Sequence, residues 1–131
     1  MKTILNILLI TLFLSIVDTK KQTITVKGIL LCDRRPQPNL TVELKEKDRV
    51  TFDDTLATVK SEKNGSFVIT GSDNEVFSIE PYMNIIHNCN VKKIGCSRTT
   101  TYKFTKAEVD TVVNLDIINL NLRGHDDKEN C

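Results

Sequence analysis

The sequence contains no tryptophan, and its only aromatic residues are two Tyr and five Phe. Five Gly and three Pro in 131 residues exclude a collagen-like, linker-like or other low-complexity chain. Lys and Arg number 18 against 17 Asp and Glu, with no polybasic segment, so the electrostatic footprint of a nucleic-acid binder or an anionic-membrane binder is missing. There is no Cys-x-x-Cys pair and no glycine-rich phosphate loop. No apolar run reaches the roughly 20 residues that a helix needs to cross a bilayer.

What is present begins with a leader. Lys2 precedes the apolar run ILNILLITLFLSIV at residues 4–17, and polar residues follow from Asp18. A basic start, a short apolar middle and a polar exit read as a secretory signal peptide, residues 1–18, cut between Val17 and Lys20. Residues 19–131 are then one domain with one core, and no transmembrane segment remains after cleavage. Export carries Cys32, Cys89, Cys96 and Cys131 into an oxidising compartment, where they pair as disulfides.

Thr, Val and Ile dominate the rest, a composition that suits pleated sheet. Residues 23–31 alternate, with Ile24 and Val26 on one face, and Gly28 marks a bulge or a close backbone approach. After a loop with Pro36 and Pro38, alternation returns at 40–45 and again at 56–60, with a charged surface loop from Lys47 to Asp54 between them. Asn64-Gly65 reads as a type I′ hairpin turn leading into a strand at 66–70. Gly71 to Asn74 reads as a further turn, and strands follow at 76–80 and 82–87, broken at Pro81. Residues 97–104 alternate, Thr105-Lys-Ala-Glu108 matches a capping box, and 112–122 forms the last strand before a charged tail from Arg123 to Cys131. Seven to eight short strands with at most one helical turn predict an all-β, immunoglobulin-like β-sandwich, with a barrel as the competing closure.

Four cysteines allow three pairings. Cys89 and Cys96 flank a short loop that a bridge can close, which leaves Cys32 for Cys131. Two sequons, Asn39-Leu-Thr41 and Asn64-Gly-Ser66, offer glycosylation sites at Asn39 and Asn64, although either Asn also serves turn geometry.

Catalytic candidates are few. His87 and His125 are the only histidines, and no nucleophile and orienting group converge on either in the sequence. His87 reads as a packed or hydrogen-bonded residue at a strand end, and His125 as solvated. The carboxylate pairs Asp53-Asp54 and Asp126-Asp127 lack a calcium-loop pattern and read as solvated. The residues therefore point to no catalytic set, no metal and no cofactor.

The stretches Val26-Lys27-Gly28-x-Leu30-x-Cys32, Pro38-Asn39, Asn64-Gly65-x-Phe67 and Glu80-Pro81-Tyr82-x-Asn84-Ile85-x-His87-x-Cys89, followed by Cys96, closely resemble the nematode transthyretin-like family. The resemblance runs from Ile24 to Cys131. It implies a transthyretin-like β-sandwich in the extracellular space or at the cell surface, and it favours the pairings Cys89–Cys96 and Cys32–Cys131. Some members of that family bridge phosphatidylserine on dying cells to an engulfment receptor, and parasites secrete others toward a host. The implied role is thus a non-enzymatic module for an extracellular protein or surface ligand, a phospholipid headgroup among the candidates. Carriage of a small apolar ligand and a degenerate hydroxyisourate hydrolase are the alternatives. The hydrolase alternative is poorly served, because Arg123-Gly124 lacks the preceding Tyr and following Ser of those enzymes, and their amino-terminal histidine motif is absent.

Overall fold

A computed structural model describes residues 20–75 and 79–131. Nine strands and one turn of 3-10 helix follow in the order β1 (Lys20–Cys32), β2 (Arg35–Pro36), β3 (Thr41–Glu46), β4 (Asp54–Lys60), β5 (Ser66–Glu75), β6 (Pro81–His87), β7 (Ser97–Lys103), η1 (Lys106–Glu108), β8 (Val112–Asn119) and β9 (Asp126–Asn130). The signal peptide expected at 1–18 and residues 76–78 of the strand expected at 76–80 lie outside the described residues. Ile79 and Glu80, the remainder of that strand, are irregular.

Two sheets face each other. In the first, β1 pairs antiparallel with β5 and β2 and parallel with β8; in the second the order is β4-β3-β6-β7-β9. Alternation determines which side chains enter the space between them. β6 buries Pro81, Met83, Ile85 and His87, and β3 buries Val42, Leu44 and Glu46. From the first sheet come Ile24, Val26, Leu30, Phe67, Ile69 and Ile118. Each such aliphatic side chain, withdrawn fully from water, contributes about 1.5–3 kcal/mol. The register between β1 and β8 shifts between Lys27 and Ile29, and a Cβ on Gly28 would stand 3.0 Å from Ile118 Cδ1. The extra residue belongs to β8, which advances three positions from Asn114 to Ile117 while β1 advances two, so Gly28 is the close approach and the bulge lies opposite it.

Several expectations are corrected. The Asn64-Gly65 turn does not close a hairpin: it joins β4 of the second sheet to β5 of the first. Only Gly65 takes a positive φ (82°), and Asn64 acts through its side chain, Oδ1 accepting the Ser66 N–H at 3.0 Å. Gly71 to Asn74 is not a turn, since β5 continues to Glu75 opposite Lys20. The tail is not loose, because β9 pairs with β7 from Asp126 opposite Thr101 to Asn130 opposite Ser97.

The disulfide pairing is also corrected. Cys32 is bonded to Cys89 and Cys96 to Cys131, rather than Cys89 to Cys96 and Cys32 to Cys131. Cys32 ends β1 and Cys89 follows β6, so the first bridge joins the two sheets. Cys96 precedes β7 and Cys131 follows β9, and the antiparallel pairing of those strands brings their Cα atoms to 4.2 Å. Strand pairing, not closeness in sequence, decides the partners.

The registers give the sandwich two distinct ends. Residues 32–40, 61–65, 88–96 and Cys131 gather at one, the cystine end. Residues 47–53, 79–80 and 104–111 gather at the other, the loop end.

Candidate functional site

Two places in the fold assemble polar chemistry. The first is buried against the cystine end. Inward positions of β6 and β7 bring His87, Arg98 and Thr100 together, and β9 adds Asp127. Cys89 N–H donates to His87 Nδ1 at 3.0 Å, so Nδ1 is the acceptor and Nε2 holds the proton, shared with Thr100 Oγ1 at 2.8 Å. Thr100 in turn donates to Asp127 Oδ2 at 2.8 Å. Arg98 grips Asp127 with Nε at 3.0 Å and Nη2 at 2.7 Å, and donates to the carbonyls of Cys89, Leu120 and Leu122. All of its guanidinium N–H groups are used.

The same residue types could serve hydrolysis, but the wiring runs the wrong way. A nucleophilic hydroxyl must give its proton to the imidazole. Here the imidazole donates and the hydroxyl proton goes to Asp127. Burial, reinforced by the Arg98 charge, lowers the His87 pKa to about 4, which keeps the ring neutral. Burial pushes the Asp127 carboxyl upward, but hydrogen bonds from Arg98 and Thr100 and the Arg98 charge outweigh it and hold the carboxyl below its ordinary range. Asp127 is therefore not the solvated group expected from its pairing with Asp126. His87 packs as expected. His125 is exposed, yet its Nδ1 accepts the Lys103 N–H at 2.8 Å and its ring meets Tyr102 edge-on at 5.5 Å.

The second place is the loop end. Asp48 organises the loop 47–53: Oδ1 accepts the N–H groups of Val50 (2.8 Å) and Thr51 (3.2 Å), and Oδ2 accepts the Thr51 hydroxyl at 2.9 Å. Asp48 N–H donates to Asp53 Oδ1 at 2.9 Å and Lys47 N–H to Glu80 O at 3.0 Å, which tie the loop to its base. The Arg49 guanidinium reaches Glu80 Oε1 at 2.9 Å. This pinned loop holds Val50 92% exposed and Phe52 95% exposed. The sequence reading passed over both as parts of a charged surface loop, although two large apolar residues inside KDRVTFDD were the available signal.

Beside the loop lies an open groove of about 360 Å³. Ile79, Pro81 and Phe104 supply apolar surface, and Lys47, Lys103 and Lys106 stand around it. It continues over Tyr82 into a polar groove of about 370 Å³ toward Asn84, Thr101 and Asp126. Tyr82 donates its phenol proton to Asp53. Burial and the Asp53 carboxylate push that phenol well above its ordinary pKa, while the Tyr82 hydrogen bond holds Asp53 below the usual carboxylate range.

The sequons lie away from this site. Asn39 is exposed with φ 58°, and its N–H donates to Ser61 O at 2.8 Å. Asn64 is exposed one turn away, where Gly65 packs against the backbone of Leu30 and Gln37. Both belong to the cystine end. Among the described residues no helix is long and apolar enough to cross a membrane.

The profile of the Transthyretin-like family matches residues 27–104. Transthyretin-like protein 16 of Caenorhabditis elegans is 34% identical over 110 residues, covering 84% of this chain and 83% of the relative. Transthyretin-like protein 33 of the same organism is 32% identical over 117 residues, covering 84% and 82%. Among solved structures, a 9R-lipoxygenase from Cyanothece PCC8801 aligns over 75% of this chain and 16% of its own length, with a TM-score of 0.50 and 16% identity, a likeness of fold alone.

Proposed function

Because the chain belongs to the transthyretin-like family, we propose that it is a secreted, non-enzymatic binding module that engages an extracellular protein through its loop end. The carrying observation is the loop 47–53, which holds Val50 and Phe52 out in water on a hydrogen-bonded frame. Large apolar side chains on a pinned loop lose little freedom on contact and regain their hydration cost when covered. Two disulfides support an oxidising destination. Glycans at Asn39 and Asn64 would both stand at the cystine end and leave the loop end clear. The carrier reading is weaker, because both grooves beside the loop are open and the core positions between the sheets are filled by packed side chains. The hydrolase reading is weaker still, because the Thr100 proton is committed to Asp127.

The test uses the full-length chain secreted from eukaryotic cells. Its amino terminus should be Asp18, Thr19 or Lys20, and N-glycosidase treatment should shift its mass unless Asn39→Gln and Asn64→Gln are both present. The secreted protein should bind cell-surface or secreted proteins of its source organism, and Val50→Ser with Phe52→Ser should remove that binding. Equal binding by the double variant would overturn the loop-end reading. Turnover of a ureide substrate that His87→Ala abolishes would overturn the non-enzymatic one.

A further inference from the structure

We infer that the groove beside the 47–53 loop takes an acidic, apolar-containing segment of a protein partner, with carboxylates on Lys47, Lys103 and Lys106 and an apolar side chain against Phe104. This rests on the loop-end reading and names the chemistry of its partner. Among the described residues the ion pairs are Arg49–Glu80 and Arg98–Asp127. Glu80, a carboxylate within the groove lining, is thus already matched by Arg49, and the three lysines have no carboxylate at ion-pair distance. The Tyr82 hydroxyl is engaged as a donor to Asp53, so the ammonium groups are the strong charged donors left at this edge.

The floor supplies the second requirement. Phe104 is half-buried and offers the apolar surface, backed by Ile79 (1% exposed) and the buried Pro81, so an incoming aliphatic or aromatic side chain lies on Phe104 with cations at the rim. Size and shape decide the class of ligand. A small molecule is normally held in a site that covers most of its surface. This groove is open, and Val50 and Phe52 stand outside its lining, so a small ligand would leave the groove half wet and the loop bare. A protein surface covers both at once. Distribution of acid decides against longer polyanions. Asp53, Asp126 and Asp127 line the adjoining part of the face, where a nucleic-acid strand would meet like charge. Asp48, Asp53 and Asp54 at the base of the loop oppose a flat anionic lipid surface in the same way. Lys47 and Lys103 border that acidic part as well, and a short acidic segment running from them toward Lys106 and Phe104 leads away from it.

The experiment measures binding of three probes to the secreted protein: a short peptide alternating Glu and Leu, its Lys–Leu counterpart, and vesicles of equimolar phosphatidylcholine and phosphatidylserine. The Glu–Leu peptide should bind, its binding should weaken steeply with salt, and it should shift the backbone amide resonances of Ile79, Glu80, Tyr82 and residues 103–106. Lys103→Glu with Lys106→Glu should weaken it by about tenfold or more. All substituted side chains are exposed, so an unchanged melting temperature shows that each variant folds. Failure of the Glu–Leu peptide to bind, equal binding of the Lys–Leu peptide, indifference to the charge reversal, or stronger binding to the vesicles would each overturn the acidic-segment assignment. If partner binding is lost on Val50→Ser with Phe52→Ser but survives the charge reversal, the loop-end reading stands and this chemistry falls. If neither double variant changes it, both fall.

Discussion

At the cystine end Cys32 is joined to Cys89 across the two sheets and Cys96 to Cys131 across β7 and β9, whereas the described connections of the loop end are held by hydrogen bonds and one exposed ion pair. The ion pairs carry the same contrast. Arg98 and Asp127 have side chains 7% and 8% exposed and share a saturated network, while Arg49 and Glu80 are 79% and 39% exposed. A buried pair is costly to break, on the order of 3–5 kcal/mol, because the surviving charge is stranded; an exposed pair contributes about 1 kcal/mol or less. The sandwich thus concentrates its irreplaceable contacts at one end. Loops at the other end can carry apolar side chains into water without being needed for the fold.

Removal of the inter-sheet bridge should have the largest effect on stability. Cys32→Ala with Cys89→Ala opens a link between residues 57 apart, and chain entropy assigns it about 4 kcal/mol. Urea unfolding should show that loss, and an unchanged midpoint would mean the sheets do not rely on it. Loss of the Cys96–Cys131 bridge, spanning 35 residues, should cost slightly less on the same account.

Acid offers the next test. His87 has a folded pKa of about 4 against 6.5 ordinarily, so between those values the unfolded chain binds the proton and the native ring does not. Stability is then complete above pH 6.5 and is lost as the pH falls toward 4, by on the order of 3 kcal/mol. Asp127, whose pKa is also depressed, adds its loss below the ordinary carboxylate value of 3.8. A stability profile flat from pH 6.5 to 4.5 would contradict the buried neutral imidazole.

Thr100→Val should cost about 1–3 kcal/mol, since it leaves His87 Nε2–H and Asp127 Oδ2 each short of a partner. Chemical denaturation reads it directly, and a neutral outcome would show that the network tolerates a gap. At the opposite extreme, Val50→Ser and Phe52→Ser should leave stability within about 0.5 kcal/mol of the parent. A larger drop in melting temperature would place the loop among the supporting parts of the fold and erase the contrast between the ends.

Much of the sandwich was legible in the chain. β3 and β6 alternate strictly, and their buried residues are the ones that period two selects. The pieces that escaped share a cause. β9 is Asp-Asp-Lys-Glu-Asn, an edge strand of polar residues with Asp126, Lys128 and Asn130 exposed, and in sequence it cannot be told from a loop. Asp127 looks solvated until β7 places Arg98 opposite its neighbour Glu129. Asn64-Gly65 announces a turn but not the sheet to which the chain returns. The cystine partners depend on which strands lie side by side, which no spacing between cysteines encodes. Of the candidate site, the loop was legible as a loop; its apolar tip was visible in the residues, but its fixed outward geometry depends on Asp48 and Glu80 meeting it in space.

Arg98 closes the carbonyls of Cys89, Leu120 and Leu122 and needs Asp127 for its charge. Synthesis runs from amino to carboxyl terminus at roughly 5–20 residues per second. Until residues 120–127 emerge, the growing polypeptide holds a guanidinium with the Cys89 carbonyl in hand but with its other two carbonyl acceptors and its counter-ion not yet made. The network around Arg98 therefore closes only after Asp127 has been added, and a chain stopped short of that residue keeps a guanidinium with no counter-ion.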